Sequence, residues 1–280
     1  MTLKSLMKGG GKWIRPLRAQ FGFVRSLENK LLKTSRIAVV SSPRSGNTWV
    51  RSVLARMLAV PEMVVSDWKE LPVTIPHRCL VQLHWYREPH FQAFLRQNNF
   101  RVITLARHPL DVLLSVLHFT KFEPKTANWL DGNVEIPPGL AGSPPTSDLF
   151  KQYALSWGAE NLLSISYQWW HDPESLRLRY EDLVLDPTGE YTRVLKNLHL
   201  PSDGLDSALE LITVKYFQAL PNRHGWQGRP GLWKLLIPAD TVREIYDRHH
   251  RVFSVLGYPP PDSSTTSAQG LKNWEQLRRK

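Results

Sequence analysis

Short apolar runs alternate with amphipathic stretches along most of this 280-residue chain. Four runs read as buried strands: RIAVV (36–40), CLVQLH (79–84), RVITLA (101–106) and LRLRY (176–180). Between them, apolar residues recur at helical spacing over 48–58, 89–97, 110–119 and 149–169. Short apolar strands alternating with helices predict an α/β fold, with a parallel central sheet flanked by helices on both faces. In such a sheet, binding residues gather beyond the carboxyl ends of the strands.

Two stretches break the rhythm. EPKTANWLDGNVEIPPGLAGSPPTSD (123–148) is rich in Pro and Gly and too long for an ordinary connection, which predicts a lid or binding loop. The end of the chain, with PPPDSSTTSAQG, reads as a partly disordered tail over 259–280. At the other end, residues 1–36 carry nine Lys or Arg against one acid, Glu28. They read as a basic helical arm over 1–35 that packs Trp13, Phe21, Phe23 and Leu27 on the body, or as a peripheral membrane contact. One domain over 36–258 remains.

Composition narrows the chemistry. With 42% hydrophobic and 22% charged residues the chain is globular, and its net charge of +11 favours acidic partners. Cys79 is the only cysteine, which excludes an intrachain disulfide and suits a cytoplasmic protein. The sequence shows no apolar run of the roughly 18–20 residues that a spanning helix needs.

The turn after the first strand, SSPRSGNTW (41–49), joins a strand to a helix through Ser, Pro, Gly, Asn and Thr with one cation, Arg44. Backbone N–H groups at a helix start bind anions. Against the phosphate loop G-x-x-x-x-G-K-[ST], Gly46 and Thr48 match, but Asn47 replaces the Lys. The strands end in His84, Arg107 and Tyr180 rather than in an acid, which speaks for an anion site without metal. In RVITLARHPLDVLLSVLHF, Arg107 stands at a strand end and Ser115 lies just over two helical turns on, a second phosphate subsite. In LRLRYEDL, Tyr180 offers a ring for stacking, while Glu181 and Asp182 read as caps and partners of basic neighbours. PNRHGWQGRPGLWK (221–234) combines Arg223, Arg229, Lys234 and His224 with three Gly, the composition of an anion-gripping flap.

Together these segments resemble the sulfotransferases that use 3′-phosphoadenosine 5′-phosphosulfate (PAPS). SSPRSGNTW looks like their 5′-phosphosulfate loop, RHPLDVLLSVLHF like their 3′-phosphate element, and RYEDL and RHG like their adenine and second 3′-phosphate segments. The resemblance implies a P-loop NTPase-like three-layer architecture and sulfuryl transfer to an acceptor hydroxyl or amine without metal. Arg44, Ser45, Gly46, Asn47, Thr48 and Trp49 would hold the 5′ side of the donor. Arg107 and Ser115, helped by Arg223, His224 and Gly225, would hold the 3′-phosphate, with Tyr180 and Phe217 beside the adenine. His84 would be the general base and Arg44 would act with it, although Gln82 stands where the family has a Lys. The family's dimer motif is unmatched, with Pro238 and Ala239 at its Thr-Val, so the oligomeric state stays open. The acceptor stays open too: a small molecule, a lipid or a carbohydrate, with no specific nucleic acid. The rival readings are a small P-loop kinase, and a basic nucleotide- or nucleic-acid-binding protein without turnover.

Overall fold

Five parallel strands form the centre of the molecule in the order β2-β3-β1-β4-β5. They are β1 (Ser35–Val40), β2 (Glu62–Val65), β3 (Arg78–Leu83), β4 (Phe100–Ala106) and β5 (Leu176–Arg179). The computed structural model describes residues 35–220 and 222–278, so the arm expected over 1–35 lies outside the described residues except for Ser35. Along β1 the side chains alternate: Ile37 and Val39 enter one core, Ala38 and Val40 the other. That alternation is the geometry of an extended strand, and both faces are buried because helices cover both.

On the Ile37 and Val39 side lie α1 (Asn47–Leu58), α6 (Tyr180–Leu185), α7 (Pro187–Leu198), α8 (Leu205–Leu211) and α9 (Val214–Gln218). On the other side lie α2 (Pro89–Gln97), α3 (Pro109–Thr120), α4 (Asp148–Leu155), α5 (Trp157–Trp170), α10 (Trp233–Leu236), α11 (Ala239–Leu256) and α12 (Ser267–Arg278). This is the three-layer arrangement that the pattern predicts. Since β1 pairs with β3 on one side and β4 on the other, the strand order reverses there. The loops after β1, β3 and β4 therefore open onto one crevice.

The predicted strands are all present, with ends within one residue. The pattern missed β2, a four-residue edge strand whose Val64 is exposed, too short to leave a periodic trace. The helix expected over 149–169 is two helices. Ser156 breaks it and caps α5, its hydroxyl accepting from the Ala159 N–H at 3.2 Å. A cap of this kind is worth about 1 kcal/mol. The long segment at 123–148 starts with a 3-10 helix, Pro124–Gly132, and is pinned by the buried Thr126, Leu130, Val134 and Leu140.

The tail expected to be partly disordered is a correction. It ends in α12, which lies against α10 with Trp274 buried. Asn273 Nδ2 donates to Leu235 O at 2.9 Å, and the Ala239 N–H donates to Thr265 O at 2.9 Å. Gly270 permits the contact, since a Cβ there would stand 2.7 Å from Leu236 O. The polar composition concealed one large apolar anchor and one close backbone approach.

Candidate active site

The loop between β1 and α1 is held open by its own side chains. Ser41 Oγ donates to Asn47 Oδ1, and Asn47 Nδ2 donates to Ser42 O at 2.9 Å. Ser42 is tied to Ser166 of α5 by a reciprocal pair of bonds at 2.9 and 3.0 Å. Asn47 thus spends its side chain on loop shape, and its contribution to an anion is confined to its backbone. Gly46 has φ 107°, and a Cβ on it would meet Tyr180 Cδ2 at 2.8 Å, so only glycine fits. The first turn of α1 has N–H groups without intrahelical partners, aimed into the crevice with the positive end of the helix.

Arg44 takes the left-handed conformation, φ 67°, which folds its side chain back across the crevice. Its Nε donates to Ser115 Oγ at 3.1 Å and one terminal nitrogen to His224 O at 2.7 Å, while the guanidinium lies 4.2 Å over the Phe119 ring. Arg107 follows β4. Its Nη1 donates to Arg44 O at 2.9 Å and its guanidinium stacks 4.3 Å from the Tyr180 ring centroid. Arg107 Nε is buried without a partner. Neither guanidinium joins an ion pair among the described residues. Burial, and then the charge of Arg107, lowers the Arg44 pKa to about 9. Two cations are therefore stored side by side without a direct ion pair, only Arg107 feeling the buried Asp111 carboxylate, an arrangement that an anion relieves.

His84 follows β3 and faces the same space. Its Nδ1 lies 2.7 Å from Ser41 O, a carbonyl that can only accept, so the proton sits on Nδ1 and Nε2 carries the lone pair. Gln82 Nε2 approaches that lone pair at 3.4 Å. Burial, offset in part by the Ser41 bond and reinforced by Arg44, lowers the His84 pKa to about 4. The imidazole is neutral across the working pH range, the state that a base requires.

The cleft so formed has about 810 Å³ of space open to solvent. Of the residues singled out from sequence, Arg44, Gly46, Asn47, Thr48, Trp49, His84, Arg107, Ser115, Tyr180, Phe217, His224 and Gly225 line it. Two do not. Ser45 is buried beneath the loop, its N–H donating to Ser42 O at 3.3 Å. Arg223 is exposed, with a φ of 43° and its guanidinium 5.4 Å over Phe122. The Tyr180 hydroxyl donates to Gly228 O of the flap at 3.0 Å. Glu181 accepts from the His108 N–H and the Tyr258 hydroxyl rather than capping its own helix or pairing with a cation.

Sequence reasoning missed Trp129, Trp226 and Leu232 on the cleft wall, and Phe119 beneath Arg44. Trp129 is the aromatic residue of the long segment, expected to be a lid or binding loop. Its ring lies 6.3 Å from His84 and stacks on Phe119 at 5.7 Å. A lone Trp in a Pro/Gly-rich loop was the available signal.

The family model for the sulfotransferase domain matches residues 34–224. The chain belongs to the sulfotransferase-domain family. The same three-layer fold is seen in mouse sulfotransferase SULT7A1 complexed with PAP, with 16% identity and a TM-score of 0.58 over 78% of this chain and 84% of that one. It is seen also in retinol dehydratase in complex with retinol and PAP, with 18% identity and a TM-score of 0.53 over 80% of this chain and 83% of that one. A second retinol dehydratase structure, with androsterone and the inactive cofactor PAP, gives 17% identity and a TM-score of 0.52 over 78% and 80%. Comparison with curated proteins gives no match. The sulfotransferase domain has no helix among its described residues long and apolar enough to cross a membrane.

Its half-buried histidines should make the domain sensitive to acid. Burial lowers His84 to about 4, His108 and His118 to about 3 and His224 to about 2, from an ordinary value of 6.5. Unfolded, each binds a proton as pH falls through 6.5; folded, none does until much lower pH. Stability therefore rises with pH across this window and is complete above it. The expected result is a steep fall in melting temperature from about pH 6.5 to about pH 4.5; a flat profile there would show these rings to be solvated.

Proposed function

We propose that this protein transfers a sulfuryl group from PAPS to a hydroxyl of a small-molecule acceptor, without metal, with His84 as general base. The observation that carries the reading is the unpaired Arg44 and Arg107 beside the start of α1, facing His84 across one cleft. The unpartnered Arg107 Nε and the glycine-only cradle at Gly46 fit a phosphate group. The donor supplies an electrophilic sulfuryl group on a nucleotide phosphate.

In this reading Arg44 and the N–H groups of the α1 start hold the 5′ side, while Arg107 and Ser115 hold the 3′-phosphate. An anion releases Arg44 from Ser115 and His224. Trp49, Tyr180 and Phe217 wall the adenine, and the flap residues His224 and Gly225 close over it. The acceptor hydroxyl takes the place of Gln82 at His84 Nε2 and gives up its proton there, and Ser41 O holds the imidazolium that results. Trp129 offers the acceptor an aromatic face beside the base. PAP in the solved neighbours, and retinol or androsterone in two of them, support a nucleotide donor and an apolar acceptor.

Thermal shift with nucleotides and EDTA tests the reading. 3′-Phosphoadenosine 5′-phosphate is expected to raise the melting temperature well above the shift given by ATP, because ligand bound only to the native state stabilises by mass action. Sulfuryl transfer from PAPS is expected to persist in EDTA. Equal shifts by both nucleotides would remove the 3′-phosphate site, and Mg²⁺-dependent turnover of ATP would favour a kinase. Salt-steep binding of polynucleotides without transfer would favour a nucleic-acid-binding protein.

A further inference from the structure

The flap that covers the cleft is fixed at both ends. At its start the Gly225 N–H donates to Phe217 O at 3.2 Å and His224 O accepts from Arg44. At its end the buried Asp111 accepts from the Gly231 N–H at 2.6 Å and the Trp233 N–H at 3.2 Å. Its middle is held by three side chains: the Tyr180 hydroxyl donates to Gly228 O at 3.0 Å, Gln218 Nε2 donates to Trp226 O, and Trp226 itself packs inward. Trp226 lies flat on His118 of α3, with centroids 4.6 Å apart and planes 11° apart. Its second aromatic neighbour is Trp274 of α12, edge-on at 5.8 Å and 72°. Trp226 also lines the cleft.

We infer that α12 is a working part of the donor site: Trp274 is a positioning residue that clamps the flap over the nucleotide by fixing Trp226 against His118. The inference rests on the reading of this cleft as the donor site. Trp274 does not itself line the cleft; it meets the lining through Trp226. It is buried, and α12 is moored close to α10 at Gly270 and by the Asn273 bond to Leu235 O. An edge-to-face aromatic pair between rings so fixed resists sideways motion of Trp226, while the stack on His118 resists lifting. The segment responsible lies beyond residues 34–224, the span that the family model matches.

The test uses the full chain with Trp274→Ala, Trp274→Phe, Trp226→Ala and the double variant, with PAP titrated calorimetrically. Trp274→Ala is expected to weaken PAP binding by roughly three- to tenfold, the range of such an aromatic pair, and Trp274→Phe to recover most of it. The donor KM should rise while kcat at saturation stays within about twofold. The two alanine variants should be non-additive, because both remove one clamp. Hydrogen exchange over 222–232 should quicken in Trp274→Ala while the loop at 41–49 is unchanged. Additive losses, or unchanged PAP affinity with unchanged flap exchange, would overturn the inference. Should Trp274→Ala fail to fold, Asn273→Ala loosens the same mooring and must quicken flap exchange, or the inference fails. If wild-type protein does not bind PAP, the donor reading falls, and flap exchange alone decides the coupling.

Discussion

Replacement of His84 by Ala is expected to cut turnover by roughly two to four orders of magnitude, the usual span for a general base, and to leave PAP affinity nearly intact. The expectation follows from placement. Nδ1 is committed to Ser41 O, so Nε2 alone can take a proton, and it opens onto the cleft beside Trp129. Of the groups assigned to the nucleotide, only the Asn47 amide approaches the ring, at Nδ1 and 3.5 Å, leaving Nε2 clear of them. Because burial lowers its pKa to about 4, the acidic limb of kcat/KM for the free enzyme should lie near pH 4 rather than near 6.5. Acid unfolding must be scored separately, since the same histidines weaken the fold in that range. An alkanol acceptor demands more of the base than an acidic phenol does, so the loss should be largest with the alkanol. Steady-state kinetics with calorimetric titration of PAP decides it. Turnover of an alkanol within about threefold of wild type would remove His84 as base.

Replacement of Arg107 by Ala should weaken PAP binding by roughly tenfold to more than a hundredfold, as a charge-assisted contact worth about 1.5–3 kcal/mol is lost. Arg107 is stacked on Tyr180, bonded to Arg44 O, and has a buried Nε with nothing to donate to. It is held in place with spare capacity. Arg107→Lys should recover charge but not the planar fork, and so should recover affinity only in part. Arg223→Ala provides the contrast. That side chain is exposed over Phe122, away from the cleft, and its removal should change affinity by less than about twofold. Equal losses at both positions would mean that the flap turns Arg223 inward on binding and that overall charge, rather than the Arg107 site, governs affinity.

The architecture was legible because its signals are local. The apolar runs at 36–40, 79–84 and 101–106 form the three inner strands and are buried on both faces over most of their length, the pattern of a helix-covered parallel sheet, while 176–180 forms an edge strand. Gly46, Arg107 and His84 were legible for a related reason: each stands where a strand ends, and parallel topology brings such ends together. What the chain order could not show is where a side chain turns once it arrives. Asn47 lies in the anion loop yet bonds back to Ser42, and Arg223 lies in the flap yet is exposed over Phe122. Arg44 reaches Ser115 and His224 from residues 71 and 180 positions distant. Trp129 and Trp274 gain their places beside His84 and Trp226 only through packing of segments that are rich in Pro, Gly and Ser. Backbone periodicity is set by neighbours a few residues apart and is written in sequence. The direction of a buried cation or an aromatic ring is set by contacts from remote segments, and only the folded chain supplies them.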